Sequence, residues 1–276
     1  GLSVVPGTYN GFIKKSWYQR LHFTGGINSG MSGGPVITQA GELVGVNVAT
    51  AGNQVGFLVP KGKLLKLYEN YMERNQPTKD LKQRLMDELV DNQEQMISHL
   101  VSLEWKTVDF SGARVAGEIT PFITCWGDSN DDKEKLYISV SRSCRYSDRI
   151  FLNESFETGT VEYEYFMIKN RALSPMRFYK LIETTLSYAS PINRAAKDDV
   201  TNYECQAAYH EQPQRKSVFC ARAYIDFPGL YDILYFDARL GSDQQSLLTH
   251  FTLAGVSQKN ALRFLDKILE NTQWAL

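Results

Sequence analysis

Short runs of alternating hydrophobic and polar residues occupy about the first sixty positions of the chain. This period is typical of half-buried β-strands. The predicted strands are residues 2–5, 12–13, 17–23, 36–38, 43–48 and 55–59. The pairs Pro6-Gly7 and Asn10-Gly11 between them favour turns. The pattern therefore predicts a β-rich domain over residues 1–60.

The hydrophobic period changes to that of an amphipathic helix after Pro60. A break at Gln76-Pro77 precedes Thr78, a predicted N-cap, and a second apolar stripe then continues to about residue 103. The first stripe consists of Leu64, Leu67, Tyr68 and Tyr71. We predict a helical connector over residues 61–105 in which the second stripe is buried against neighbouring domains; this stripe consists of Leu81, Leu85, Leu89, Met96, Leu100 and Leu103. A coiled-coil dimer is disfavoured because sustained heptads are absent.

Strand-like alternation returns at about Thr107, and one order of elements then occurs twice. Residues 106–190 and 198–276 each contain a cysteine-bearing strand, a polar turn, a second cysteine-bearing strand, two further strands and a helix. Ser174 and Ser257 are the predicted helix N-caps. We predict two ββββα units, with chance similarity between two sheet–helix segments as the alternative.

The four cysteines lie in this C-terminal region, and an even number suggests disulfides. If the strands around them form a hairpin, Cys205 and Cys220 lie directly opposite each other, at a spacing that a disulfide spans. Cys125 and Cys144 also flank a hairpin and are paired partly by elimination. Disulfides favour the periplasm or the cell exterior. Four reduced cysteines in a cytosolic core are the alternative.

The composition excludes several classes of partner. The 276 residues include 30 basic and 31 acidic side chains, so no overall field favours nucleic acid. No apolar run is long enough for a membrane span. The acidic turn at residues 127–132 lacks the Gly and the distant Glu of an EF-hand, and no Cys-x-x-Cys pair suggests zinc. We therefore predict no metal and no cofactor.

Residues 25–36, Gly-Gly-Ile-Asn-Ser-Gly-Met-Ser-Gly-Gly-Pro-Val, are the most informative stretch of the chain. They resemble the serine loop of chymotrypsin/trypsin-like serine peptidases, including the bacterial high-temperature-requirement branch. Residues 41–47 resemble the Gly-Glu-x-x-Gly-x-Asn hairpin of that branch, and residues 56–60 its closing strand. The three matches cover about residues 20–60. They imply half of a trypsin-like antiparallel β-barrel, within an α+β chain.

The resemblance implies specific roles around Ser32. A serine hydroxyl becomes a useful nucleophile when a base takes its proton and donors stabilise the oxyanion. Ser32 corresponds to the nucleophile, and the backbone N–H groups of Gly30 and Ser32 correspond to the oxyanion hole.

The catalytic base and its aspartate are not visible in the chain. The family places its His and Asp before the serine, on the N-terminal barrel. Only 31 residues precede Ser32, and His22, the only histidine among them, lies on a predicted strand. His99, His210 and His250 follow the matched region, and nothing marks any of them as the base. We expect the missing barrel to supply His and Asp, and the chain alone to hydrolyse peptides poorly.

The resemblance also implies a substrate side. Met31 replaces the aspartate that pairs with a new N-terminus in animal trypsins, so zymogen activation of that kind is not expected. Gly26 corresponds to the base of the primary specificity pocket, which favours a small or apolar substrate residue. The predicted pocket wall, which would also pair with substrate backbone, contains Asn47, Val48, Ala49 and Thr50.

Two functions from different classes follow. The first is the C-terminal part of a trypsin-like serine endopeptidase, periplasmic or secreted, with a peptide or protein substrate and the missing N-terminal barrel as partners. The alternative is a non-catalytic binding or assembly protein that retains the half-barrel as a scaffold. Low-order homo-oligomerisation is compatible with either.

Overall fold

The computed structural model describes residues 4–28, 30–50, 55–74, 80–130, 132, 134–146, 148–187, 190–211, 214–242 and 244–274. The chain divides into two compact units, Gly1–Leu81 and Lys82–Leu276. The described residues contain four helices and several antiparallel sheets, which confirms the α+β class. The predicted division at residues 60 and 105 stays a prediction.

Unit 1 is built on a five-stranded antiparallel sheet that curls into a half-barrel. Its strands are β1 (Gly7–Phe12), β2 (Leu21–Gly25), β3 (Pro35–Ile37), β4 (Leu43–Thr50) and β5 (Val55–Pro60), in the order β1-β2-β5-β4-β3. Leu21, Phe23 and Leu58 form its small buried core. The alternation in the sequence brings these side chains to one face of the sheet.

Strand β1 corrects the turn prediction for Asn10-Gly11. The strand passes through both residues, and its pairing with β2 shifts between Tyr9 and Phe12. Gly11 has φ +86° at this irregularity. The left-handed conformation that suits a hairpin turn here accommodates a bulge. The predicted strand at residues 2–5 falls partly outside the described ranges, and Gln76-Pro77 with Thr78 falls wholly outside them.

The two connector helices differ in burial. Helix α1 (Lys61–Arg74) leaves Leu67, Tyr68 and Tyr71 of its apolar stripe more than half exposed. On helix α2 (Leu81–Ser102), the stripe predicted to be buried is buried at Leu89, Met96 and Leu100, whereas Leu81 and Leu85 are exposed. No helix in the described parts of the chain is both long and apolar enough to cross a membrane.

Unit 2 is built on a seven-stranded antiparallel sheet in the order β13-β14-β15-β16-β12-β9-β8. Its elements after α2 are β6 (Thr107–Phe110), β7 (Ala113–Ala116), β8 (Ile123–Ser129), β9 (Tyr137–Tyr146), β10 (Ile150–Phe151), β11 (Glu157–Thr158), β12 (Val161–Asn170), α3 (Pro175–Ser187), β13 (Glu204–His210), β14 (Arg215–Ala223), β15 (Tyr231–Ser242), β16 (Gln245–Val256) and α4 (Gln258–Glu270). Ser257 caps α4 as predicted, since its hydroxyl accepts from the Asn260 N–H at 3.3 Å. Phe251 of the sheet packs on Phe264 of α4 at 5.4 Å between ring centroids.

Both predicted disulfides are confirmed. Cys125 faces Cys144 across β8 and β9, and Cys205 faces Cys220 across β13 and β14. Each pair lies directly opposite in its ladder, which is the placement that cross-strand geometry requires.

The predicted layout of two equal ββββα units is not confirmed. Strands β10 and β11 pair only with each other among the described residues, so the first half contributes three strands to the large sheet and the second half four. The Cys125–Cys144 bridge joins β8 to β9, and β9 is directly next to the central strand β12. The Cys205–Cys220 bridge joins β13 to β14, and β15 separates β14 from the central strand β16. A strict repeat would place both bridges in equivalent ladders.

Candidate active site

The segment that carries Ser32 connects β2 to β3, and we define residues 26–34 as the serine loop. Its C-terminal end is fixed to β4 by two backbone hydrogen bonds. The Gly33 N–H donates to the Asn47 carbonyl at 2.8 Å, and the Asn47 N–H donates to the Gly34 carbonyl at 3.0 Å. These bonds extend the β3–β4 ladder back into the loop. They hold Ser32 at a strand entry with its side chain exposed.

The serine loop folds as two successive tight turns. The Met31 N–H donates to the Asn28 carbonyl, and the Gly34 N–H donates to the Met31 carbonyl, both at 3.1 Å. Gly30 has φ +88° and Gly33 has φ +84°. L-residues rarely adopt this region, so the two glycines set the direction of the peptide groups around Ser32.

The two amides that the sequence predicted as oxyanion donors are unengaged. Within the described residues, the N–H groups of Gly30 and Ser32 donate to no protein acceptor, whereas those of Met31, Gly33 and Gly34 all do. When a serine oxygen attacks a carbonyl carbon, negative charge develops on the carbonyl oxygen. Backbone N–H groups that point at this oxyanion stabilise it.

Strand β4 offers a backbone edge beside the serine loop. Its pairing with β3 ends at Val46, and Asn47 is occupied by the loop. Beyond Asn47, the same edge has no partner strand in the part of the chain that the structure describes. Ala49 and Thr50 pair with β5 on the opposite edge, and Val48 bulges between these pairings with its side chain partly exposed.

The residues predicted to bind the substrate differ in their exposure and in the atoms that they contribute. The Asn47 side chain is only 5% exposed, so its contribution comes from its main chain, which positions the loop. Gly26 is exposed at the start of the serine loop and takes no part in the hydrogen bonds that join the loop to β4. The structure thus joins Asn47 through its backbone to Gly33 and Gly34, the two residues that follow Ser32.

Gly45 contributes to the packing of β4, the strand that holds the serine loop. The sequence pattern alone did not reveal this role. A Cβ atom on Gly45 would lie 2.4 Å from the Val59 carbonyl oxygen of β5. The residue therefore allows β4 and β5 to approach closely. A glycine inside an apolar strand pattern is the signal that marks such an approach.

No base is joined to Ser32 in the structure. Among the described residues, no histidine or carboxylate is hydrogen-bonded to the Ser32 hydroxyl. His22 lies in β2, paired with Phe57, and its half-buried ring has no hydrogen-bond partner for Nε2 in the described parts. Likewise, no cluster of three or more His, Cys, Asp or Glu side chains there could hold a metal ion, and Asp131 of the acidic turn lies outside those parts.

No family model matches this chain, and no curated protein does. Its function is therefore argued from the geometry around Ser32.

Proposed function

We propose that this chain supplies the nucleophile and the oxyanion hole of a trypsin-like serine endopeptidase. One observation carries the proposal. Within the described residues, the N–H groups of Gly30 and Ser32 have no protein acceptor and the Ser32 side chain is exposed, in a loop that two glycines shape and a β-strand holds. The residues that resemble the peptidase motif are the same residues that produce this geometry.

The chemistry would follow the acyl-transfer pattern. The Ser32 oxygen attacks the carbonyl carbon of a substrate peptide bond, and a base removes its proton as the new bond forms. The negative charge that develops on the carbonyl oxygen is stabilised by the two amides, and this stabilisation is usually a large part of catalysis.

The substrate would lie along β4. The unpaired edge beyond Asn47 suits an extended peptide that adds a strand by backbone hydrogen bonding. Gly26 brings no charge to the specificity pocket, so the preferred substrate residue is small or apolar. The residues that follow Ser32 position the nucleophile, and those of β4 position the bond to be cleaved.

The base and its aspartate would come from outside these 276 residues, on a complementary barrel. This part of the proposal is supported by the lack of any described histidine bonded to Ser32. The two disulfides support an oxidising compartment, and we therefore place the protein in the periplasm or outside the cell.

A fluorophosphonate probe, which labels activated serines, tests the proposal. We expect the protein that includes the complementary barrel to be labelled at Ser32, and the 276-residue chain alone to be labelled far more slowly. Ser32→Ala should abolish labelling. Ser16→Ala removes a serine hydroxyl from the same unit and should leave it unchanged. A correctly folded complete protein that resists the probe would contradict the proposal.

A second candidate is a non-catalytic binding or assembly protein. The observation that favours it is the exposed apolar surface of α1, to which Leu65, Leu67, Tyr68, Tyr71 and Met72 each contribute with about half of the residue exposed. Exposed apolar patches of this kind mark interaction sites. If the complete protein binds peptides with equal affinity before and after Ser32→Ala, and the probe labels neither form, this candidate is preferred.

A further inference from the structure

Strand β13 forms one edge of the seven-stranded sheet. It pairs with β14 over all seven residues, Glu204 to His210, without a register shift. Its outer edge has no partner in the described parts of the chain. A regular strand of this length presents a row of free backbone donors and acceptors to a further strand.

The opposite edge of the sheet is protected, whereas β13 is not. At β8, the Glu118 carboxylate lies beside the edge and accepts from the Cys125 N–H at 3.4 Å. Natural proteins protect edge strands with charges, proline, bulges or covering segments. Strand β13 contains Glu204 as its only Asp, Glu, Lys or Arg, and it has no proline and no bulge.

Burial does not explain why β13 is held in place. Six of its seven residues are exposed, so both faces of the strand extend beyond the core. The strand is instead fixed covalently, by the bridge from exposed Cys205 to buried Cys220 on β14. A regular strand that adds little to the core but is held in the sheet by a disulfide is suited to pair with a further strand.

We propose that β13 pairs antiparallel with β13 of a second copy of this chain, about a two-fold axis at Ala207. In this register Ala207 faces the partner's Ala207, and Glu204 faces the partner's His210. The even-numbered residues then remain on one face of the joined sheet. A two-fold contact is self-complementary, so each pairing away from the axis, such as that of Glu204 with His210, occurs twice.

Charge complementarity favours a second copy as the occupant. The acidic residue of the strand is at its first position and the imidazole at its last, so antiparallel pairing brings them together. The neighbouring Arg215 on β14 is engaged by the buried Asp237 carboxylate, so the imidazole is the group of β13 that faces the incoming Glu204. The His210 Nε2 lies 3.4 Å from the Ser217 hydroxyl, and Nδ1 has no partner among the described residues. A carboxylate and an imidazole on directly facing residues can pair across two strands.

Sedimentation of the full chain over roughly 1–500 μM tests the proposal, because an edge contact alone is small and weak. We expect a reversible dimer. Glu204→Lys should weaken it by roughly tenfold, since two favourable cross-strand pairs become unfavourable. Adding His210→Glu to Glu204→Lys should restore the dimer, because only self-pairing places residue 204 opposite residue 210.

Cysteine cross-linking tests the register. Ala207→Cys should form an intermolecular disulfide on mild oxidation, whereas Ala208→Cys should not, because its counterpart is diagonal and about 7–8 Å away. Peptide mapping without reduction checks that the two native bridges remain. A monomer at all concentrations, or a dimer that forms without any effect of either change, would overturn the proposal. So would a monomer that binds extended peptides along β13.

Discussion

At Gly30, φ is +88°, and an added Cβ would meet no heavy atom within 4 Å. The effect of Gly30→Ala is therefore backbone strain of roughly 1–2 kcal/mol, without a steric clash. In the proposed oxyanion hole, this strain would turn the Gly30 N–H away from the direction in which it donates to the oxyanion. We expect fluorophosphonate labelling of Ser32 in the complete protein to slow by about tenfold or more.

Gly41 provides the matched control for Gly30. It has φ +81° and the same open surroundings, but it lies in the turn between β3 and β4. Gly41→Ala should reduce the unfolding free energy of the protein, measured in urea, about as much as Gly30→Ala does. Its labelling rate should be unchanged. Equal slowing by both variants would show that stability, and not the direction of the Gly30 amide, limits labelling.

Glu157 of β11 carries the clearest pH dependence at the residue scale. Burial raises the pKa of its carboxyl, but hydrogen bonds and charges from Arg194 and Arg149 outweigh burial and hold the pKa below its ordinary value. A lowered folded-state pKa stabilises the fold above the unfolded-state value of about 4.3. That stability is lost as the pH falls through the folded-state pKa.

Glu157→Gln should therefore lose about 2 kcal/mol of unfolding free energy at pH 7, because two arginines lose a buried charged partner. The loss should shrink as the pH falls through the lowered folded-state pKa, because wild-type Glu157 then becomes protonated. Urea unfolding at several pH values measures both. Glu183→Gln, which breaks an exposed pair with Lys180, should leave the unfolding free energy nearly unchanged, because water screens that pair. A pH-independent difference for Glu157→Gln would contradict the assignment.

At the scale of elements, the two disulfides stabilise different parts of the large sheet. The Cys205–Cys220 bridge closes a short hairpin and fixes an exposed edge strand. Replacing both cysteines by alanine should cost roughly 3 kcal/mol by the loop-entropy relation. We expect hydrogen exchange to become much faster in β13 while β12 and β16 stay protected.

The Cys125–Cys144 bridge is the matched comparison. Its loop is similar in length, but Cys144 is fully buried beside the core strand β12. Its double alanine variant should lose the same entropic stabilisation and also packing, so exchange should increase in β9 and β12 together. If both variants loosen the same strands, the two bridges are equivalent and the distinction is wrong.

The elements that the sequence predicted best are those whose pattern is purely local. The strands around Cys205 and Cys220 alternate regularly, so their register and the bridge could both be derived from the residues. Strand β1 could not, because Asn10-Gly11 has the chemistry of a turn and the bulge depends on pairing with β2. The exposure of α1 could not either, since an apolar stripe does not indicate whether a partner covers it.

The candidate site was predictable to a similar extent. The motif around Ser32 located the loop and its two amides. It did not reveal that the Asn47 backbone holds the loop, because that contact joins residues distant in sequence. The close approach of Gly45 to β5 likewise depends on the packing of neighbouring strands.

For the whole molecule, the contrast in core size between the two units is the main feature. Among the described residues, the buried core of unit 1 consists of Leu21, Phe23 and Leu58, whereas unit 2 buries most of the large side chains of the chain. Small units bury too little apolar surface to be stable by a wide margin. We expect calorimetry to resolve two transitions, with unit 1 unfolding at the lower temperature.

Reduction should separate the two transitions further. Both disulfides lie in unit 2, so a reductant should lower the upper transition by roughly 10–20 °C and leave the lower one unchanged. Trp17 is the only tryptophan of unit 1, and Trp105 is buried in unit 2. Trp17→Phe should therefore remove the lower transition from the fluorescence signal while calorimetry still records it. A single transition that shifts as a whole on reduction would mean that the stability of the serine loop depends on the core of unit 2, and a reactive Ser32 would then require intact disulfides.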